Sequence, residues 1–243
     1  MSHSPDAEDF IVAQWEAALN DARVSPADYH LITCPGAPVP DHAPAVSFRR
    51  GHVVDGSEGG IVVTADKLLE AEQYAQLNRV ATFEDWDEDD PVAMAFLAGL
   101  LRHEIEHGIQ RDKCPNSFEL YDLTEAVIRH AVQDTHNWRE LINTQPIEWD
   151  ANAAASMYLR HHTVHQAAVP DLLAGPHTFL VRSELGPGDP QKLVARTVGY
   201  LYSLRDACLK QEARQSVTFD VLIEGMVPGA GALWRELDAA RLC

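Results

Sequence analysis

The stretch Val92-Ala93-Met94-Ala95-Phe96-Leu97-Ala98-Gly99-Leu100-Leu101-Arg102-His103-Glu104-Ile105-Glu106-His107-Gly108-Ile109 decides the reading of this chain. The run from Val92 to Leu101 is apolar. Ala93, Phe96, Leu97, Leu100 and Leu101 make a helix that is apolar nearly all round, which means burial. Asp90 and Pro91 open it as N-cap and first helical residue. His103 and His107 stand four residues apart, so their imidazoles leave the same face. Two neutral imidazoles at that distance can hold one Zn²⁺. Glu104 projects close to that face and can take a proton from a water the metal activates. The bland alternative is a solvated helix end with two incidental histidines. Burial argues against it, because buried polar groups without partners are costly.

At 243 residues and 46% apolar, the chain can bury a full core, as one domain or one domain with a subdomain. It carries 37 acidic against 19 basic residues, which argues against nucleic acid and anionic membrane as partners. Much of the excess sits in Glu84-Asp85-Trp86-Asp87-Glu88-Asp89-Asp90, read as a solvated loop. Cys34, Cys114, Cys208 and Cys243 form no C-x-x-C pair, which favours reduced thiols. The N-terminus has no basic or apolar leader pattern, and no apolar stretch reaches membrane-span length. The expectation is a soluble, cytoplasmic protein.

Along the chain, Phe10, Ile11, Trp15, Ala18 and Leu19 have helical spacing, so a first helix is expected over 9–22. A Pro-rich loop follows at 34–40. Short strands are expected at 45–48, 52–54 and 61–64, joined by a Gly-rich hairpin at 55–60. A second helix is expected over 66–79. After the motif helix, Lys113-Cys114-Pro115-Asn116-Ser117 is a break. Further helices are expected at 117–141, 144–162, 191–213 and 221–241, the last interrupted by Gly225, Pro228, Gly229 and Gly231. Residues 169–190, rich in Pro and Gly, read as a long connection.

Zinc held by two histidines needs at least one more protein ligand. Gln110 and Lys113 stand where a metzincin would carry Gly and His, so that class is excluded. The candidates are Glu119, Glu125, Glu140 and Glu148. Glu148 is favoured. Asn152 lies one turn beyond it on the same face and can accept a hydrogen bond from the far nitrogen of a ligating histidine. Ala151, Ala153, Ala154 and Ala155 let this helix approach another closely. Glu125 is the rival, because its spacing from His107 is nearer to that of thermolysin-like enzymes, but Ala126-Val127-Ile128-Arg129 after it lack their downstream acid.

His103-Glu104-Ile105-Glu106-His107 together with Glu148-x-Asp150-Ala151-Asn152-x-x-Ala155 resembles the zincin metallopeptidases with a glutamate ligand. It is most similar to their ImmA/IrrE-like branch, with H-E-x-x-H followed by E-x-E-A-N-x-x-A. Asp150 replaces the second glutamate of that pattern, the gap from His107 to Glu148 is long for the branch, and no helix-turn-helix stands out. The resemblance implies one Zn²⁺ per chain, with His103, His107 and Glu148 as ligands and Glu104 as base. It implies an α+β, mostly helical fold: a zincin-like domain over 1–167 with a small N-terminal sheet, and a helical extension over 168–243.

His161-His162-x-x-His165 reads as a helix C-terminus where partly charged imidazoles suit the dipole; a second metal site is the alternative. Tyr158, His136 and His161 are weak candidates for stabilising an oxyanion. Trp149 beside Glu148 is expected to pack, with lining a substrate pocket as the alternative. The reading is a zinc-dependent metallohydrolase, a peptidase in the first instance, with the strand at 61–64 offering its edge to an extended peptide. A hydrolase of a small amide or metabolite is the alternative, and a non-catalytic binding module a third reading. The partner is a peptide or small amide, with neither nucleic acid nor membrane.

Overall fold

The computed structural model describes residues 5–26, 29, 31–33, 45–54, 57–63, 91–114, 116–132, 141–175, 178–211 and 218–241. They are mostly helical. The helices are α1 (Pro5–Ala22), α2 (Pro91–Lys113), α3 (Asn116–Val132), α4 (Pro146–His161), α5 (Val169–Ala174), α6 (Leu193–Gln211), α7 (Phe219–Met226) and α8 (Ala230–Arg241). The strands are β1 (Leu31–Thr33), β2 (Ala45–Val54) and β3 (Ser57–Val63). The Pro-rich loop at 34–40, the helix expected at 66–79, the acidic run at 84–90 and the expected cap Asp90 lie outside the described residues.

The strands pair in the order β1-β3-β2. β1 runs parallel to β3, with Leu31 opposite Ile61 and Thr33 opposite Val63. β2 runs antiparallel to β3, with Ala45 opposite Val63 and Val54 opposite Ser57, and its register shifts between Phe48 and Val53. β3 is therefore paired on both sides. Among the described residues the outer edges belong to β1 and β2, and the strand expected to offer its edge is the inner one. Local alternation cannot reveal this, because the β1–β3 pairing joins segments distant in sequence.

The chain divides into two compact units, one of Met1–Ile109 with Asp150–Pro187, the other of Gln110–Trp149 with Gly188–Cys243. In the first, α1, most of α2 and most of α4 share one core. Trp15, Ala18 and Leu19 of α1 meet Leu97, Leu101 and Ile105 of α2 and Ala155 and Leu159 of α4 in that core. Burying Leu97, Leu101 and Ile105 contributes roughly 1.5–3 kcal/mol each. α1 ends at Arg23, which takes the left-handed conformation at φ +57. The amide of Val24 reaches back to the carbonyl of Leu19 and that of Arg23 to Asn20, which satisfies the last carbonyls of the helix. A non-glycine residue in this position costs about 1–2 kcal/mol, so the hydrogen bonds and the packing of Val24 must offset it.

Two glycines of α2 are demanded by close approach. A Cβ on Gly99 would lie 2.8 Å from Leu159 Cδ1, and one on Gly108 would lie 2.2 Å from the ring of Tyr29. Gly99 lets α2 and α4 draw together. Gly108 seats Tyr29 against the turn that carries His107. The alanines of α4 do for that helix what Gly99 does for α2.

In the second unit, α3 buries Leu120, Leu123, Thr124, Val127 and Ile128, the i, i+3, i+4, i+7, i+8 stripe of an amphipathic helix. Its core is shared with Val198, Leu201 and Cys208 of α6, Phe219 and Ile223 of α7, and Ala230 and Trp234 of α8. Trp234 stacks edge-on against Phe219 at 4.8 Å and tilts against Tyr202 at 4.7 Å. The interruption expected near residue 229 is the break between α7 and α8. Gly229 sits at φ +88, and Glu224 accepts the amides of Gly229 and Gly231, each at 2.9 Å. The segment 169–190 is not a bare connection. It contains α5 and single turns at 178–180 and 190–192. Pro170 lies in the first turn of α5, where a missing amide hydrogen costs nothing.

Candidate metal centre

α2 is buried at every position from Ala95 to Gln110, and so carries its polar residues into the interior. Arg102, His103, Glu104, Glu106, His107 and Gln110 are all buried. The rings of His103 and His107 stand edge to face with centroids 4.6 Å apart, the consequence of their four-residue spacing. α4 brings up Glu148 in its first turn, also buried. One ring nitrogen from each histidine and one carboxylate oxygen of Glu148 all lie within 4.8 Å of one another. This buried group could hold a metal ion. Four-coordinate zinc with bonds near 2.0–2.1 Å sets its donor atoms about 3.3 Å apart. No pair of the three atoms has to draw in by more than about 1.5 Å, within the reach of side-chain torsions.

Two contacts fix the group. Asn152, one turn after Glu148, places Oδ1 2.9 Å from His103 Nδ1. With Oδ1 accepting, Nδ1 carries the hydrogen, and Nε2 keeps the lone pair that a metal requires. Gln110 donates from Nε2 to the carbonyl of Ile147 at 3.0 Å, and so ties the last turns of α2 to the residue preceding Glu148. α4 begins at Pro146, and the carbonyl of Gln145 accepts from the amide of Trp149. Glu148 therefore also meets the positive end of the helix.

The second glutamate of the motif has a different task. Glu106 accepts from Arg102 Nη1 at 3.0 Å, while Arg102 Nε donates to Asp21 at 2.9 Å. Glu106 is thus the counter-ion of a buried guanidinium and stands outside the converging group. The four-residue spacing of Arg102 and Glu106 was the available signal, since such pairs meet on a helix.

Glu104 is buried on α2 beside His103, and its carboxylate is not one of the three converging donors. Among the other ligand candidates, Glu125 pairs with Arg129 four residues on and is not in the group. Glu140 and His136 lie outside the described residues, as does the side chain of Glu119. Trp149, expected to pack, is 42% exposed. Its neighbours Glu148 and Asp150 take the inward positions and leave it on the outer face of α4. His161 is exposed at the end of α4, as a helix-end histidine would be. His165 departs from the expected charged helix end. It is 1% exposed, and burial, reinforced by the neighbouring His162, lowers its pKa to about 4. Tyr158 is equally buried, and burial first, then the charge of Asp21, raises its phenol to about 12.

No protein-family model, curated protein or solved structure matches the chain. No helix among the described residues is long and apolar enough to cross a membrane.

Proposed function

We propose that the chain is a zinc-dependent hydrolase of the zincin type that cleaves an amide bond, with peptides as its first substrate class. The observation that carries this reading is the convergence of His103, His107 and Glu148 in a buried group, with Asn152 on the far nitrogen of His103. Two imidazoles and one carboxylate are the donor set of catalytic zinc sites that keep a position open. When bound there, zinc would lower the pKa of a water and polarise the scissile carbonyl. Glu104, adjacent to His103 and outside the ligand set, is the base in this reading. Its carboxylate takes the proton of the attacking water and returns it to the leaving amine nitrogen. Asn152 holds the His103 ring in one tautomer, and Gln110 holds the first turn of α4 in place. A purely binding module has no need of Glu104 at that position. Cys114 and Cys208 are both unbridged, which fits the reducing interior of a cell.

A second reading, a hydrolase of a small amide, is favoured by one observation. β3 is covered on both sides, so an extended peptide cannot pair with the strand that would otherwise receive it. Exposed Trp149, beside Glu148, offers an apolar surface to either substrate.

The test is metal analysis joined to an activity screen on peptides and on small amides. Protein prepared without chelators should carry about one zinc on this group, lost in Glu148→Ala and retained in Glu125→Ala. Absence of any divalent metal, or loss of zinc in Glu125→Ala alone, would defeat the assignment. Turnover of small amides with none of peptides would select the second reading.

A further inference from the structure

A second group of side chains with metal-ligating atoms lies in the last turn of α4 and just past its end. Tyr158 and His162 are four residues apart, and His165 follows in the next turn. The ring centroids are 5.2 Å apart for Tyr158 and His162, 5.8 Å for Tyr158 and His165, and 4.9 Å for the two histidines, whose planes differ by 27°. The backbone that carries them is closed by hydrogen bonds. The amide of His162 bonds to Tyr158, those of His165 and Gln166 to His162, and that of Ala168 to His165.

Four polar atoms of this group are buried and have no hydrogen-bond partner: Tyr158 Oη, His162 Nδ1, and both ring nitrogens of His165. The Tyr158 and His165 side chains are 2% and 1% exposed. Native proteins rarely leave one such atom unsatisfied, so four together call for a partner. We propose that Tyr158, His162 and His165 bind a single imidazole-seeking transition-metal ion, Zn²⁺ or one of its neighbours, at a site independent of His103, His107 and Glu148.

The donor set selects the guest. Two imidazoles and a phenol offer no carboxylate, so Ca²⁺ and Mg²⁺ are disfavoured and borderline ions such as Zn²⁺, Ni²⁺ and Cu²⁺ are suited. An anion would need protonated histidines, whereas the surroundings of His165 keep it neutral with its lone pair available. The charge of Arg102 also acts on Tyr158, but Arg102 is matched by Asp21 and Glu106. Turning the His165 ring about χ2 toward a shared ion breaks no hydrogen bond, because it makes none. Tyr158 remains a phenol and serves as a neutral oxygen donor or as the donor to a water on the ion.

The experiment loads the full-length chain with Zn²⁺, removes excess by gel filtration and counts zinc by elemental analysis. Wild type should hold about two equivalents, and His103→Ala/His107→Ala about one. His162→Ala and His165→Phe, each in the otherwise wild-type chain, should also hold about one, and the combined variants none. The zinc-dependent rise in Tm of His103→Ala/His107→Ala should vanish when His165→Phe is added. His162 is only half-buried, so His162→Ala decides the matter if His165→Phe does not fold. Equal zinc in wild type, His162→Ala and His165→Phe would overturn the proposal. So would a raised metal-free Tm in His165→Phe with zinc unchanged, the signature of an internal water or void. A single wild-type equivalent that survives His103→Ala/His107→Ala and is lost in His162→Ala would support this site and defeat the proposed catalytic one.

Discussion

Replacing Asn152 with leucine removes one hydrogen bond and almost no volume. The bond runs between two buried side chains at 2.9 Å, so no water stands ready to replace it. In the metal-free protein His103 can answer by moving its hydrogen to the other ring nitrogen. On metal binding that escape closes, because Nε2 must present a lone pair and Nδ1 must carry the hydrogen. The loss then falls on the metal-bound state. An unsatisfied buried donor costs about 1–3 kcal/mol, which is roughly a 10–100-fold weakening of metal affinity. Competition against a chromophoric chelator near neutral pH measures it, with Tm of the metal-free protein as the control for folding. Asn152→Asp keeps the acceptor and adds charge, so its affinity should equal or exceed wild type. Zinc affinity of Asn152→Leu within about twofold of wild type, in a protein of normal metal-free Tm, would refute the role assigned to this contact.

Glu104→Gln should keep its zinc and lose about 10²–10⁴ in turnover, because the base is gone while the ligands remain; full activity in the variant would exclude Glu104. Gly108→Ala forces a methyl against Tyr29, whose ring stands 2.2 Å from the added carbon, and should cost about 1–3 kcal/mol in a denaturant or thermal melt. Gly108→Ala with Tyr29→Leu should recover part of that loss, and no recovery would mean the clash is relieved elsewhere. His165 gives a pH dependence in metal-free protein. Its pKa falls from 6.5 to about 4 on folding, so between those values the unfolded chain binds more protons than the folded one. Its contribution, about 3 kcal/mol, is complete above about pH 6.5 and lost as pH falls toward 4; urea melts across that window should show the slope, and His165→Phe should flatten it.

The parts of the site that were legible are local. The pairing of His103 with His107, and of Glu148 with Asn152, follows from the four-residue repeat of a helix. The burial of α2 follows from an apolar run too broad for a surface stripe. What stayed hidden depends on distant segments. Nothing near residues 57–63 says that β3 lies between its two neighbours. Nothing after the end of α4 says that the chain turns His165 inward. Pro170 reads as a loop signal, and only a helix that begins there makes it a first-turn residue. Trp149 has the composition of a core residue, but the phase of α4, set by Glu148 and Asn152 facing α2, leaves it outward. Glu106 shares the Arg102 guanidinium with Asp21, which stands 81 residues from Arg102 in sequence and could not be placed from the motif alone.

The Arg102–Glu106–Asp21 contact bears on how relatives of this chain could be recognised. Either half of a buried ion pair, left alone, is costlier than neither, because the surviving charge has no water to turn to. Positions 102 and 106 should therefore drift through evolution together. A lineage with leucine at one should carry an uncharged residue at the other, and only the half-exposed partner at 21 is at liberty to vary alone. The pattern to search for keeps His103, Glu104, His107, Glu148 and Asn152 fixed and lets 102 and 106 change as a pair.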